Sequence, residues 1–98
     1  MPKAYWVVTY RSVKNPAAWE AYAKIAIPAL EASGGRFLVK ANPAKSYELG
    51  LNERVVMVEF DSLAQALAAH DTPDYQKALE VLGTGNVERD MRVVEGMA

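Results

Sequence analysis

The chain contains a single imidazole, His70. Histidine is the one side chain whose ordinary pKa lies near neutrality, so His70 is the first candidate for moving a proton. It recurs with Leu63, Ala66 and Leu67 at helical spacing, which aims the ring at a sheet rather than at water. The competing use of such a residue is local: a half-buried histidine at a helix end, hydrogen-bonded to its neighbours and favoured there by the helix dipole. Arg36 and Glu59 are charges set inside apolar, strand-like runs, where burial without a partner would be costly. One reading pairs them with each other, or with Lys40 or Arg92, at a sheet edge. The other gives Arg36 a ligand carboxylate to grip with its forked donors and makes Glu59 a base of raised pKa. His70 and Glu59 are therefore the catalytic candidates.

Trp19 and Tyr22 share a helix face and are placed to meet Trp6 or Tyr10. Such a group can wall a cleft for a planar organic ligand, with a phenol or indole N–H to orient it, or can simply be core or dimer contact. Tyr75 stands in Thr72-Pro73-Asp74-Tyr75, where the Thr72 cap and Pro73 are accounted for by helix initiation and only the phenol is spare. The ligand-binding candidates are thus Trp19, Tyr22, Arg36, Glu59, His70 and Tyr75.

Several chemistries are excluded by residue type. With no cysteine and one histidine in 98 residues, neither a thiolate nor a histidine zinc centre can be assembled, and no metal or cofactor is expected. No GxGxxG or GxxxxGK[ST] occurs, and Gly83-Thr84-Gly85-Asn86 alone is a turn. The formal charge of −1 provides no field to attract a phosphate backbone or an anionic bilayer, so no nucleic-acid and no membrane partner is expected. No apolar run approaches the roughly 20 residues that span a bilayer. MPKAYWVVTYRS lacks the basic, long apolar and small-residue order of a leader, which predicts a cytoplasmic protein.

The elements that must position these side chains follow from the periodicity. Ala4–Tyr10 is β-branched and aromatic and reads as a strand. Asn15 caps and Pro16 opens a helix running to about Ser33, with Trp19, Tyr22, Ala23, Ala26, Ile27 and Leu30 on one face. Pro28 should kink or loosen its last turn, and Gly34-Gly35 should close it. Arg36–Lys40 reads as a second strand with an interruption or bulge at Asn42-Pro43 before it resumes over Ser46–Leu49. Arg54–Phe60 is a third strand, apolar enough to imply cover on both faces. Ser62 and Gln65 make a capping box for a second helix. Thr72-Pro73 restarts it, with Tyr75, Ala78, Leu79 and Leu82 carried to Gly83. Val87–Glu95 is the last strand.

This order, β-α-β-β-α-β in one domain over residues 1–98, is an α+β ferredoxin-like plait: a four-stranded antiparallel sheet with helices on one face. The other face would be bare in a monomer, yet the first and third strands offer apolar side chains on both faces, Trp6, Val8 and Tyr10 or Tyr5 and Val7 on one strand, and Val56, Val58 and Phe60 or Val55 and Met57 on the other. A second copy packed sheet against sheet around a two-fold axis is expected to cover the bare face. Burying even about 600 Å² of apolar surface represents on the order of 15 kcal/mol before association costs.

Taken in order, Ala4–Val8, the Asn15-Pro16 opening with Trp19-Glu20-Ala21-Tyr22, Gly34-Gly35-Arg36-Phe37-Leu38, Arg54–Ser62, Thr72–Tyr75 and Val93–Gly96 resemble the domain-of-unknown-function 1330 family of the dimeric α+β barrel superfamily. The resemblance spans nearly the whole chain. It implies a homodimeric barrel and passes on no common reaction. Two positions depart: Asp71-Thr72-Pro73-Asp74-Tyr75 stands where the family has Asn-Ser-Pro-Glu-Tyr, and His70 replaces an aromatic residue. Function is therefore expected to be the binding of a small carboxylated or aromatic metabolite between helices and sheet. The alternatives are a non-catalytic homodimeric module and, by analogy with the superfamily, a cofactor-free monooxygenase or isomerase.

Overall fold

A computed structural model describes residues 2–97. The chain runs β1 (Ala4–Val13), α1 (Pro16–Ala32), β2 (Arg36–Ala41), β3 (Val55–Phe60), α2 (Leu63–His70), α3 (Pro73–Leu82) and β4 (Val87–Glu95). The strands form one sheet in the order β2-β3-β1-β4, and every neighbouring pair is antiparallel. The expected plait is therefore present, with its second helix split in two at Asp71-Thr72.

The breaks fall where the local chemistry requires them. The Asn15 side chain accepts the Ala18 N–H at 3.2 Å, and Ser62 and Thr72 cap α2 and α3 in the same way through Gln65 and Tyr75. After α1 the Gly34 N–H reaches Glu31 O at 3.0 Å and the Gly35 N–H reaches Leu30 O at 2.8 Å. This double closure needs a left-handed residue, and Gly34 supplies it at φ +89°. Gly35 has no space for a side chain, since a Cβ there would lie 2.8 Å from Val58; this brings the end of α1 directly onto the sheet.

Alternation along the strands divides the sheet into two faces. Trp6, Val8, Tyr10, Val56, Val58 and Phe60 are buried beneath the helices, together with Tyr22, Leu30, Tyr75 and Leu82. Cross-strand register carries Phe37 of β2 and Arg89, Met91 and Val93 of β4 onto the same covered face. The opposite face holds Tyr5, Val7, Val55, Met57 and Glu59, all half-buried, and the more exposed Val39 and Val94.

Two local expectations are corrected. Ser46–Leu49 forms no strand. Pro43 cannot donate to a ladder, and the chain instead closes on itself, with the Gly50 N–H on Tyr47 O at 2.9 Å and the Ser46 hydroxyl 2.7 Å from Asn52 Oδ1. The interruption expected at Asn42-Pro43 is present, since β2 ends at Ala41, and a further irregularity lies between Phe37 and Val39. On α2 it is Ala66 and Ala69 that are buried, while Leu67 is 51% exposed. The helix is only two turns long, and its orientation is set by small residues fitting close to the sheet rather than by its largest apolar one. Pro28 is accommodated within a helix that continues to Ala32.

Candidate functional site

The most chemically distinctive place in the molecule lies on the covered face, where α1 and α3 meet β1 and β4. Arg89 is paired in register with Tyr10 across β4 and β1, so both point under the helices. Tyr22 comes down from the middle of α1 and Tyr75 from the first turn of α3. Their hydroxyls are 2.8 Å apart. One nitrogen of the Arg89 guanidinium donates to Tyr10 Oη and to Tyr22 Oη, each at 3.1 Å. The second reaches Tyr75 Oη at 3.5 Å. Trp19 Nε1 donates to the same Tyr10 oxygen at 2.9 Å.

The guanidinium also lies over the rings, 5.0 Å from the centroid of Tyr22 and 5.7 Å from that of Tyr10. At these distances each ring face attracts a cation. Burial disfavours the Arg89 charge, but the surrounding phenols, Tyr22 foremost, outweigh it and hold the group above its ordinary pKa. Burial pushes the Tyr22 phenol far above its ordinary value, reinforced by Tyr75 and only partly offset by Arg89. Tyr22 is therefore a neutral O–H at any physiological pH.

This cluster closes one end of a narrow cavity of about 30 Å³ between α1 and the sheet, walled by Val8, Ala23, Ile27, Val58 and Met91. That volume holds about one water. Trp19 is a partly exposed part of its wall: it is only half-buried, and its ring carries the Arg54 guanidinium at 4.6 Å.

The six ligand-binding candidates divide. Trp19 and Tyr22 line this cavity, and Tyr75 stands behind it, joined to the Tyr22 hydroxyl and the Arg89 guanidinium without lining the space. Arg36 and Glu59 lie on the opposite, open face of the sheet, where the Arg36 Nε donates to Glu59 at 3.0 Å and a terminal nitrogen to Asp61 at 2.9 Å. Glu59 also accepts the Tyr5 hydroxyl at 3.2 Å. His70 ends α2, 43% exposed, with Nδ1 3.1 Å from Asp71 Oδ1. Its ring packs against Trp6 and Tyr75, with centroids 6.1 and 5.4 Å away. Neither of the two catalytic candidates, Glu59 and His70, is among the residues lining the cavity. Among the described residues no group of three metal-ligating side chains occurs, and no helix is long and apolar enough to cross a membrane.

Sequence reading missed Arg89 and did not make Tyr10 a site residue. The signal was present: Val87, Arg89, Met91 and Val93 share one face by period-two alternation, and Arg89 is the only charge among them. A cation on the apolar side of a strand is the feature that singles the position out.

A family model described as domain of unknown function, DUF1330, matches residues 3–97. No curated protein matches. Among solved structures, the fold resembles the RPA0582 protein of unknown function from Rhodopseudomonas palustris, with TM-score 0.76, 15% identity, and coverage of 99% of this chain and 84% of that one. It also resembles a candidate antibiotic biosynthesis monooxygenase from Caulobacter crescentus, with TM-score 0.63, 13% identity, and coverage of 99% and 92%. A dimeric ferredoxin-like protein of unknown function from Thermobifida fusca has TM-score 0.56 and 16% identity, with coverage of 96% and 91%. At these identities the likeness is one of fold.

Proposed function

This chain belongs to the DUF1330 family, a grouping that carries an architecture and no reaction, and on that premise we propose that it is a cytoplasmic, homodimeric binding protein that holds a small carboxylated or aromatic metabolite between α1 and the sheet. The observation that carries the reading is the cavity's construction: apolar walls leading to a polar end made of Arg89 and phenols. Ligand sites are built this way, with a mostly apolar lining and a few polar groups that fix orientation. Binding without turnover is favoured because no carboxylate or imidazole lines the cavity. Trp19 and Tyr22 fill the space, so a ligand enters by displacing Trp19 outward.

The assembly is supported by the shape of the protomer, a slab with extents of 37 × 34 × 17 Å. Its surface of 6203 Å² exceeds the roughly 5,500 Å² of a compact monomer of this size. Val7, Val39, Val55, Met57 and Val94 on the open face supply apolar area for a second copy.

A thermal-shift screen against aromatic acids, aliphatic acids and neutral aromatics tests the ligand. A compound at about 100 times its Kd raises stability by about 2.7 kcal/mol. A flat response to every class removes the reading. Sedimentation at micromolar concentration tests the dimer, and a folded single chain removes that part.

Cofactor-free monooxygenase or isomerase chemistry is the second reading. It draws on the fold likeness to the Caulobacter crescentus protein and on donors able to stabilise an enolate oxygen. Oxygen uptake or isomerisation of a screening hit would put it first.

A further inference from the structure

Among the described residues Arg89 has no anionic partner of its own. Among the described residues Lys3, Arg11, Lys14 and Arg36 each have a carboxylate within ion-pair distance, and none lies within that distance of Arg89. Its neighbours are neutral phenols, and counting their hydrogens shows what they lack. Tyr10 Oη accepts from both Trp19 and Arg89, which occupies both of its lone pairs and leaves its own hydrogen unspent. Tyr22 and Tyr75 share one hydrogen across their 2.8 Å contact, so one of that pair also keeps a hydrogen without an acceptor. The guanidinium has five N–H donors and, besides these oxygens, no other side-chain acceptor among the described residues. The cluster therefore has a surplus of donors, a net positive charge and no matching acceptor, at the end of an apolar cavity.

We propose that this is a monocarboxylate site. Resting on the ligand-pocket reading above, the inference narrows it: the ligand is a flat or apolar acid whose carboxylate takes the Arg89 fork and the spare Tyr10 hydrogen, and whose body replaces Trp19 against Val8, Ile27 and Met91. Two cations line the cavity, Arg89 and the exposed Lys40, which lies over the Phe37 ring; the phenols gather around Arg89 alone, and there an acid with one charge neutralises the guanidinium. Neutral ligands lose, because desolvating Arg89 without an anion is unrewarded. When Trp19 moves away from Tyr10, a lone pair on that phenol is released and the indole enters a new environment, so binding carries its own optical signal.

The experiment titrates the full-length protein with benzoate and phenylacetate, with their amides, and with phenyl phosphate, using calorimetry and tryptophan fluorescence. The acids are expected to bind at least about tenfold tighter than the amides, the step of about 1.4 kcal/mol that a charge-assisted contact supplies. Arg89→Gln should erase the preference, and Tyr10→Phe should weaken it several-fold while preserving its sign. Because Arg89→Gln also removes contacts to three phenols, the wild-type acid-against-amide ratio provides a test independent of whether that variant folds. Equal binding of acids and amides, tighter binding of phenyl phosphate, or a folded Arg89→Gln that keeps the preference overturns the carboxylate inference and leaves the pocket standing. Silence from all five probes overturns the inference and the pocket reading together.

Discussion

Arg36 and Arg89 occupy opposite faces of one sheet and show two ways of keeping a cation in a protein of this size. Arg36 stands on the open face at the sheet edge, between Glu59 and Asp61, and its charge is answered twice over. Arg89 stands under the helices, and what answers it is three neutral oxygens and two ring faces. A guanidinium that already has carboxylates has little left to recognise. One held only by phenols is charged, oriented and still short of an anion. The difference moves the functional interest of the molecule from the pair of charges most visible in the sequence to a single arginine near its end.

The largest test of this two-faced description compares adjacent residues of β1. Trp6 is fully buried and donates from Nε1 to Ala66 O at 2.8 Å, so Trp6→Ala should destabilise the fold by about 3–5 kcal/mol in urea denaturation. Val7, one residue on, faces the other way and is half-buried in a single protomer. Val7→Ala should cost about 1 kcal/mol or less in dilute protein, and more as concentration rises if a second copy covers that face. A cost for Val7→Ala matching that for Trp6→Ala at every dilution would break the distinction between the faces.

This alternation is also what made the fold legible. Strand and helix positions follow from period and from caps such as Asn15, Ser62 and Thr72, which act over a few residues. The 42–54 loop was misread because Ser46–Leu49 has a strand-like composition, and what decides its course is side-chain bonding between Ser46 and Asn52. The site was half legible for the same reason. Trp19, Tyr22 and Tyr75 advertise themselves by type and helical spacing, whereas the meeting of Tyr22, Tyr75 and Arg89 joins residues far apart in the chain, and no local pattern encodes it. Arg36 and Glu59 drew attention as charges in apolar strands, but which sheet face they occupy depends on register, and register placed them away from the cavity.

The next effect in size concerns the phenols around Arg89. Tyr22 in the folded state holds its proton well above the pH at which an unfolded tyrosine, with pKa about 10, releases it. Its contribution is therefore complete below about pH 10 and is lost as pH rises beyond that, by about 1.4 kcal/mol for each unit. Urea midpoints measured from pH 9 to pH 11 should show this decline, and Tyr22→Phe should flatten it by one proton's worth while costing about 1 kcal/mol at neutral pH. An unchanged alkaline slope in Tyr22→Phe would mean that the phenol is not sealed beneath the helices.

The smallest effect belongs to the open face. The Arg36 guanidinium donates to Asp61 and holds its carboxyl below the usual carboxylate range, with a lesser pull from Lys3. A depressed folded pKa favours folding above the unfolded value, about pH 3.9, and the advantage is lost as pH falls through the folded one. The window thus lies in acid, at the opposite end of the pH scale from that of Tyr22. Both Asp61 and Arg36 are largely open to solvent, so the interaction is screened, and salt near 1 M, where the screening length is about 3 Å, should suppress it. Asp61→Asn should accordingly remove a shallow part of the acid slope at low salt and change nothing at high salt. A response that survives high salt would show that this face is shielded from solvent, as it would be beneath a second copy, and the contrast between the two arginines would then be one of partners alone and not of exposure.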